Sequence, residues 1–327
     1  MSLCLKTKLE FDRLKEIAKN SPQIPLAQIP LEDIRQLNYT IFAEYSAGLP
    51  NGITREDFIY KELNIDNKIV PLHIYNPKHY GETNLPTVVF FQGSGFTINL
   101  LEVHLAPCAT IAQKTGCQVI VVDYPLAPEH TAEEITLISY KVTKYLYDNH
   151  IEFNIDPTRF IIAGSSAGAT ISASIVNRSL DNNQEIKFAK QILISPCVDL
   201  TLKIYDNNPY QDYQNEDFML GSEAVHYLIN TYLSNGSDPK SPYISPYYQE
   251  NLNDMPDTTI IVAEYDGLRG DAEAYYQKLL NSKVKVNKIV CIGQTHNYIV
   301  CRKVFSDGED PALIIANLIS KELLFNK

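Results

Sequence analysis

No run of apolar residues in these 327 approaches the roughly eighteen needed to cross a bilayer as a helix, and no cluster of Lys and Arg marks a basic face. The first absence excludes a helical membrane span. The second, together with a formal charge of −11, argues against nucleic acid, whose phosphates demand a basic surface. C-x-x-C pairs are absent too, and none of the six cysteines has a histidine at zinc spacing. Cys4, Cys108, Cys117, Cys197, Cys291 and Cys301 therefore read as reduced, mostly buried thiols of a cytoplasmic protein. Residues 1–20 lack the unbroken apolar stretch of a signal peptide, because Lys6, Lys8, Glu10, Asp12, Arg13 and Lys15 interrupt it. There is no internal repeat and no low-complexity segment. What is present is a 45% hydrophobic chain, ample for a large core. Its length fits two domains or one large α/β domain.

Leu5, Leu9, Leu14, Ile17 and Ala18 recur at near-helical spacing, which predicts an amphipathic helix packed on the body. Its polar face mixes charges and is not the Lys/Arg-rich face of a membrane-surface helix. Pro22, Pro25, Pro30 and Pro50 leave room only for short helical pieces and loops over 21–57. Two β-like runs, 58–65 and 69–75, flank Asp66-Asn67-Lys68 as an antiparallel hairpin. Apolar strands follow at 87–91, 119–123, 160–163, 191–195, 258–263 and 284–291. Helices are expected at about 101–114, 131–149, 271–280 and 311–324. This alternation implies a mostly parallel, twisted sheet with helices on both faces and sites at the carboxyl ends of the strands. Residues 199–255 break the rhythm. They are polar, punctuated by Pro209, Pro239, Pro242 and Pro246, and hold eight of the 21 tyrosines.

The run Arg159 to Val176 carries the chemistry. An apolar strand leads into Gly164-Ser165-Ser166-Ala167-Gly168, and small and aliphatic residues continue as a buried helix. G-x-S-x-G alone arises by chance in roughly one chain of this length in ten, given ordinary glycine usage. Between a strand and a helix it is a nucleophile elbow, a tight turn that strains Ser166 and lifts its hydroxyl above the sheet. The Ala167 amide then stands at a helix N-terminus, where it is unpaired and favours an anion.

A serine hydroxyl needs a base to take its proton, and the base needs an acid to orient it. Elbow architectures place them in the order Ser, Asp or Glu, His. Two histidines follow Ser166. His226 lies mid-helix in the tyrosine-rich insert and reads as packing; His296, in Gly293-Gln-Thr-His-Asn-Tyr298 after the last strand, is the better base. Glu264, Asp266 and Asp271 are the candidate acids. Glu264 continues its strand and Asp271 opens the following helix, whereas Asp266 lies in the loop between them and is preferred. Phe91-Gln-Gly-Ser-Gly-Phe96, at the end of a buried strand, can turn amides of Gly93, Ser94 and Gly95 toward an acyl oxygen, together with that of Ala167.

These runs resemble the hormone-sensitive-lipase-like branch of the α/β-hydrolases, the bacterial carboxylesterase group. The resemblance covers about 55–327. It rests on Phe91-Gln-Gly-Ser-Gly-Phe96 (the family's H-G-G-G), Asp123-Tyr-Pro-Leu-Ala-Pro-Glu-His130, Gly164-Ser-Ser-Ala-Gly168, Ser195-Pro-Cys-Val-Asp-Leu200, Glu264-Tyr-Asp-Gly-Leu-Arg269 and His296. It implies one α/β-hydrolase domain over 1–327, a structural role for His130, and a helical cap built from about 1–55 and 199–255. The tyrosines of the second segment would line the acyl pocket under that cap. This sequence departs from the family at Gln92 (for His), Ser94 (for the middle Gly), Ser165 (for an acid inside the elbow) and Asn297 after the base. The Ser94 side chain is expected to narrow the acyl pocket and to offer a further donor.

The expected function is hydrolysis of short- to medium-chain carboxylic esters through an acyl-enzyme, with no metal or organic cofactor. The expected partner is a small-molecule ester, with a homodimer left open. An imidazole base implies activity that falls as pH drops through roughly 6 to 7. Two other readings share the fold: a non-catalytic small-ligand binder, disfavoured by the intact Ser166, Asp266 and His296, and an amidase or deacetylase.

Overall fold

The seven residues of β3 (Leu85–Phe91) are all buried, as an apolar strand covered on both faces must be. Val88 and Phe90 join one hydrophobic cluster while Val89 and Phe91 join another on the opposite face, the two-residue alternation of a pleated strand. This is a computed structural model, and it describes residues 3, 5–20, 24–77, 84–210, 212, 220–303 and 311–325. Cys4, Tyr213 and the opening residues Met1 and Ser2 lie outside that set.

The other strands are β1 (Phe58–Ile65), β2 (Lys68–Tyr75), β4 (Gln118–Val122), β5 (Ile155–Ser165), β6 (Lys190–Ile194), β7 (Thr258–Tyr265) and β8 (Val286–Thr295). They form one eight-stranded sheet in the order β1-β2-β4-β3-β5-β6-β7-β8. β2 is antiparallel to both its neighbours, and every pair from β4 to β8 is parallel. The β1–β2 hairpin closes through Asp66 and Asn67 alone, both left-handed at φ 51° and 64°. That conformation is the one a two-residue hairpin turn needs and Asx residues tolerate. Lys68, expected in the turn, therefore begins the second strand.

Helices cover both faces. α3 (Leu101–Thr115) and α9 (Pro311–Phe325) pack on one side. α4 (Ala132–Asp148), α5 (Ala167–Asp181) and α8 (Arg269–Asn281) pack on the other. The start of α4 is written in the sequence: the Thr131 hydroxyl accepts the Glu134 amide while the Glu134 carboxylate accepts the Thr131 amide.

α2 (Leu31–Tyr45) and α7 (Ser222–Tyr232) contribute side chains over Ser166 and His296, a one-turn helix α6 (Lys203–Asp206) meets α7 through Asp206 and His226, and α1 (Leu5–Lys19) meets α2 through Glu10 and Tyr45. The fifteen-residue α2 corrects the expectation of only short helical pieces over 21–57. Pro30 precedes its first residue and no proline recurs before Pro50, so nineteen residues were available to a helix.

One side chain ties α2 to the loops beneath it. The Arg35 guanidinium donates to the Thr97 carbonyl (2.8 Å), to the Ala127 carbonyl (3.1 Å) and bidentately to the Glu129 carboxylate (2.7 Å each). Arg35→Ala is expected to cost about 1–3 kcal/mol of stability in a denaturant titration. If α2 floats over the site as a result, KM should also rise; an unchanged midpoint and KM would show that the strap holds nothing. No described helix is long and apolar enough to cross a membrane.

Candidate active site

Two glycines allow β3, β5 and α5 to meet in a turn too tight for any other residue. A Cβ on Gly164 would lie 2.3 Å from the Gly168 carbonyl oxygen, and one on Gly168 would lie 2.1 Å from that of Phe91. Between them Ser166 is forced to φ 52°, ψ −122°, strained for a residue with a side chain. Its amide donates to the Ile194 carbonyl (2.7 Å), and its own carbonyl accepts the amides of Ala169 and Thr170. The elbow is thus bonded on both sides, and its one mobile polar group is the hydroxyl.

That hydroxyl lies 2.9 Å from His296 Nε2, and His296 Nδ1 lies 2.9 Å from Asp266 Oδ2. Imidazole and carboxylate are both buried. Asp266 Oδ1 accepts the Leu268 amide at 2.9 Å. Burial pushes the Asp266 carboxyl up, but the facing His296, with smaller contributions from Ser195 and that amide, more than offsets it, leaving the group below the usual carboxylate range. The carboxylate therefore stays ionised, and its Oδ2 accepts the proton on Nδ1, so Nε2 is left as the acceptor facing Ser166.

The rival acids are engaged elsewhere. Glu264 Oε2 accepts the Gly293 amide at 2.8 Å, which links the strand leading to Asp266 with the strand leading to His296. Asp271 lies in the first turn of α8, as expected, but its Oδ1 reaches back to accept the amides of Val198 and Asp199 at 2.9 Å each. Its Oδ2 has no hydrogen-bond partner among the described residues. Complete burial raises the Asp271 carboxyl to about 7. The sign follows: between about pH 4 and 7 the folded chain holds a proton on Asp271 that the unfolded chain has lost, so this group weakens folding as pH rises. Asp271→Asn keeps the Oδ1 acceptor and removes the ionisation. Measured as midpoint differences against pH, the variant should gain on the wild type from pH 4 to 7, by a few kcal/mol in order of magnitude. A constant difference would refute it.

His226 packs edge-on against Tyr205 and holds Asp206 at 3.3 Å, away from Ser166. His130 faces Lys68 and Glu134. The five described cysteines are buried. Cys197 alone among them lines the cavity above Ser166, and burial, with the nearby carboxylates of Asp271 and Asp199, holds its thiol far above the ordinary range.

The loop after β3 packs directly on the elbow: a Cβ on Gly93 would sit 3.0 Å from the Ser165 carbonyl oxygen and 3.3 Å from Ser166 Cβ. Two expectations about this loop need correction. The Gly93 amide is already committed to His104 Nε2 (3.1 Å), which removes it from the anion donors. The Ser94 hydroxyl is committed as well. It accepts the Phe96 amide (2.9 Å) and meets the Tyr124 hydroxyl (2.5 Å), which donates to the Gln92 carbonyl (2.8 Å). That leaves the amides of Ser94, Gly95 and Ala167 with no acceptor among the described residues. Gln92 holds the loop's far end, its Oε1 accepting the Leu100 amide at 2.8 Å.

A cavity of about 360 Å³ opens above Ser166 and His296. Its walls are aliphatic and aromatic: Leu26, Ile34 and Phe42 from the first segment, Val225, Leu228 and Ile229 from α7. Leu228 fills the space that a Cβ on Gly95 would need. Of the insert's described tyrosines only Tyr227 reaches the cavity, so the expected tyrosine lining is not there. Tyr232 instead stacks on Phe96 at 4.0 Å, and Tyr243 packs against Arg178. A phenol buried against a ring or a cation serves packing, and spacing along the chain does not reveal which partner it finds.

Residues 88–300 match a family model described as α/β hydrolase fold. An arylesterase of Saccharolobus solfataricus is 28% identical over 276 residues, covering 84% of this chain and 87% of that protein. An esterase of Acinetobacter venetianus is 30% identical over 229 residues, covering 70% and 73%. Among solved structures, an α/β hydrolase from the metagenome of Lake Arreo superposes with a TM-score of 0.89 at 22% identity, over 98% of both chains. A hyperthermophilic esterase from Pyrobaculum calidifontis does so at 0.85 and 24%, over 99% of this chain and all of that one. Elbow, sheet order and relatives agree: the chain belongs to the α/β-hydrolase family, in its hormone-sensitive-lipase-like carboxylesterase branch.

Proposed function

We propose that this chain hydrolyses short- to medium-chain carboxylic esters through an acyl-enzyme, with Ser166 as nucleophile, His296 as general base and Asp266 as the group that orients it. One observation carries the reading: an unbroken Ser166–His296–Asp266 chain at 2.9 Å and 2.9 Å, on the floor of an apolar cavity. As the Ser166 oxygen attacks the acyl carbon, its proton passes to His296 Nε2 and the carbonyl electron pair moves onto oxygen. Amides of Ser94, Gly95 and Ala167 are the donors available to that oxyanion. Collapse of the intermediate expels the alkoxide, which takes the proton from His296. Water, deprotonated by the same imidazole, then releases the acid and restores Ser166.

The esterase relatives support the reaction class, and the cavity supports the chain length. A pocket of about 360 Å³ lies at the small end of ligand sites and is walled in part by α2 and α7. Hydrolysis of p-nitrophenyl esters from acetate upward tests both points. Turnover should be highest for short and medium acyl chains and collapse beyond them. A rate that rises monotonically to long-chain esters would overturn the size argument. A chain inert to the whole series, and to stoichiometric labelling by a fluorophosphonate, would be a binder and not an enzyme.

A further inference from the structure

His104 is buried and lies beneath the loop that carries Gly93, Ser94 and Gly95, eleven residues along the chain from Gly93 and on a different element, α3. Its two ring nitrogens face partners of opposite kind. Nδ1 is 2.8 Å from the Leu100 carbonyl oxygen, which can only accept, so Nδ1 carries the proton. Nε2 is 3.1 Å from the Gly93 amide, which can only donate, so Nε2 is bare. The two contacts select one neutral tautomer. Burial agrees, lowering the imidazole to about 4.

We propose that His104 is a positioning residue for ester hydrolysis: by accepting the Gly93 amide it fixes the height and direction of the following peptides, so that the Ser94 and Gly95 amides face the acyl oxygen before charge develops there. The inference rests on the reading of those amides as oxyanion donors. Its physical content is preorganisation. An unpaired amide in a glycine-rich loop rotates freely, and each rotation that turns the Gly93 N–H toward the site carries the next two N–H groups with it. Three other contacts complete the clamp: Tyr124 on the Gln92 carbonyl, Leu228 against Gly95 and Tyr232 on Phe96. Only His104 acts on the amide adjoining the donors.

The experiment compares His104→Gln with His104→Asn. A glutamine side chain places its carbonyl oxygen near the depth of Nε2, whereas asparagine ends near the depth of Nδ1 and leaves the Gly93 amide without an acceptor. Each is assayed for kcat and KM on p-nitrophenyl butyrate. Each is also assayed for inhibition by a trifluoromethyl ketone, to whose carbonyl carbon Ser166 adds while the oxygen becomes an anion and His296 takes the proton.

The asparagine variant should lose about 100-fold in kcat, with KM within about threefold, and should bind the ketone more weakly in the same proportion. The glutamine variant should stay within about tenfold of wild type in both. Equal kcat and equal ketone affinity in the two variants would overturn the proposal, as would a loss carried entirely by KM. Nitrogen NMR of the wild type tests the tautomer without any substitution, and protonated Nε2 at neutral pH would also overturn it. If the wild type itself hydrolyses no ester, the underlying reading falls, and this inference with it. Intact wild-type turnover with indistinguishable variants would remove only the role of His104.

Discussion

Replacing Ser166 by alanine is expected to lower kcat/KM for p-nitrophenyl esters by about 10⁴-fold or more while leaving the melting temperature nearly unchanged. The two halves of this prediction have separate causes. The hydroxyl is the only polar group of Ser166 whose bonding is not already committed: the amide and carbonyl are held by Ile194, Ala169 and Thr170. Removing it deletes a 2.9 Å contact to His296 and nothing else. The backbone strain at φ 52° persists, because alanine also has a Cβ. Residues acting as one unit do not contribute additively. Thus Ser166→Ala combined with His296→Ala should be no slower than Ser166→Ala alone within about threefold. Residual activity above about one per cent in Ser166→Ala would mean that another group attacks the ester.

Gly168→Ala is expected to cost about 3–5 kcal/mol of stability, and to reduce kcat by about 100-fold in whatever remains folded. The added carbon would meet the Phe91 oxygen at 2.1 Å and the Gln92 oxygen at 2.3 Å, where ordinary contact begins near 3.4 Å. Both obstacles are backbone, so no rotamer relieves them, and β3 and α5 must separate. The strand that moves is the one leading into Gly93, Ser94 and Gly95, so the same displacement that weakens the sheet also misplaces the donors. Chemical denaturation with activity measured on the folded fraction separates the two losses. A variant with the wild-type midpoint would show that β3 and α5 are not packed as described.

Ser166 and its two flanking glycines are legible in the sequence because every requirement of the elbow is local: a strand, a five-residue turn and a helix follow one another without a gap. His296 and Asp266 are legible by a weaker route, since each sits just past an apolar strand and the chain order leaves few rivals. Choosing among Glu264, Asp266 and Asp271 already needs three dimensions. All three are carboxylates within eight residues, and only the direction of each side chain separates one facing an imidazole from one facing the amides of Gly293 or of Val198 and Asp199. The length of α2 is hidden for a different reason: four prolines over 21–57 signal breaks, while the helix occupies the proline-free interval between Pro30 and Pro50.

By itself, then, the sequence determined what depends on near neighbours: the alternating strands and helices, the hairpin around Asp66-Asn67-Lys68, the elbow, and the family to which these runs belong. The tertiary structure alone decided which polar groups are spent and which are left over. Gly93, Ser94 and Gly95 look equivalent as a string. They differ only because His104, folded in from α3, takes one amide and leaves two, while Tyr124 takes up the Ser94 hydroxyl. Hydrogen-bond capacity is limited to one donor per amide, so the function of a backbone group depends on who has already claimed it. That claim is made across space by residues whose separation along the chain carries no trace of it.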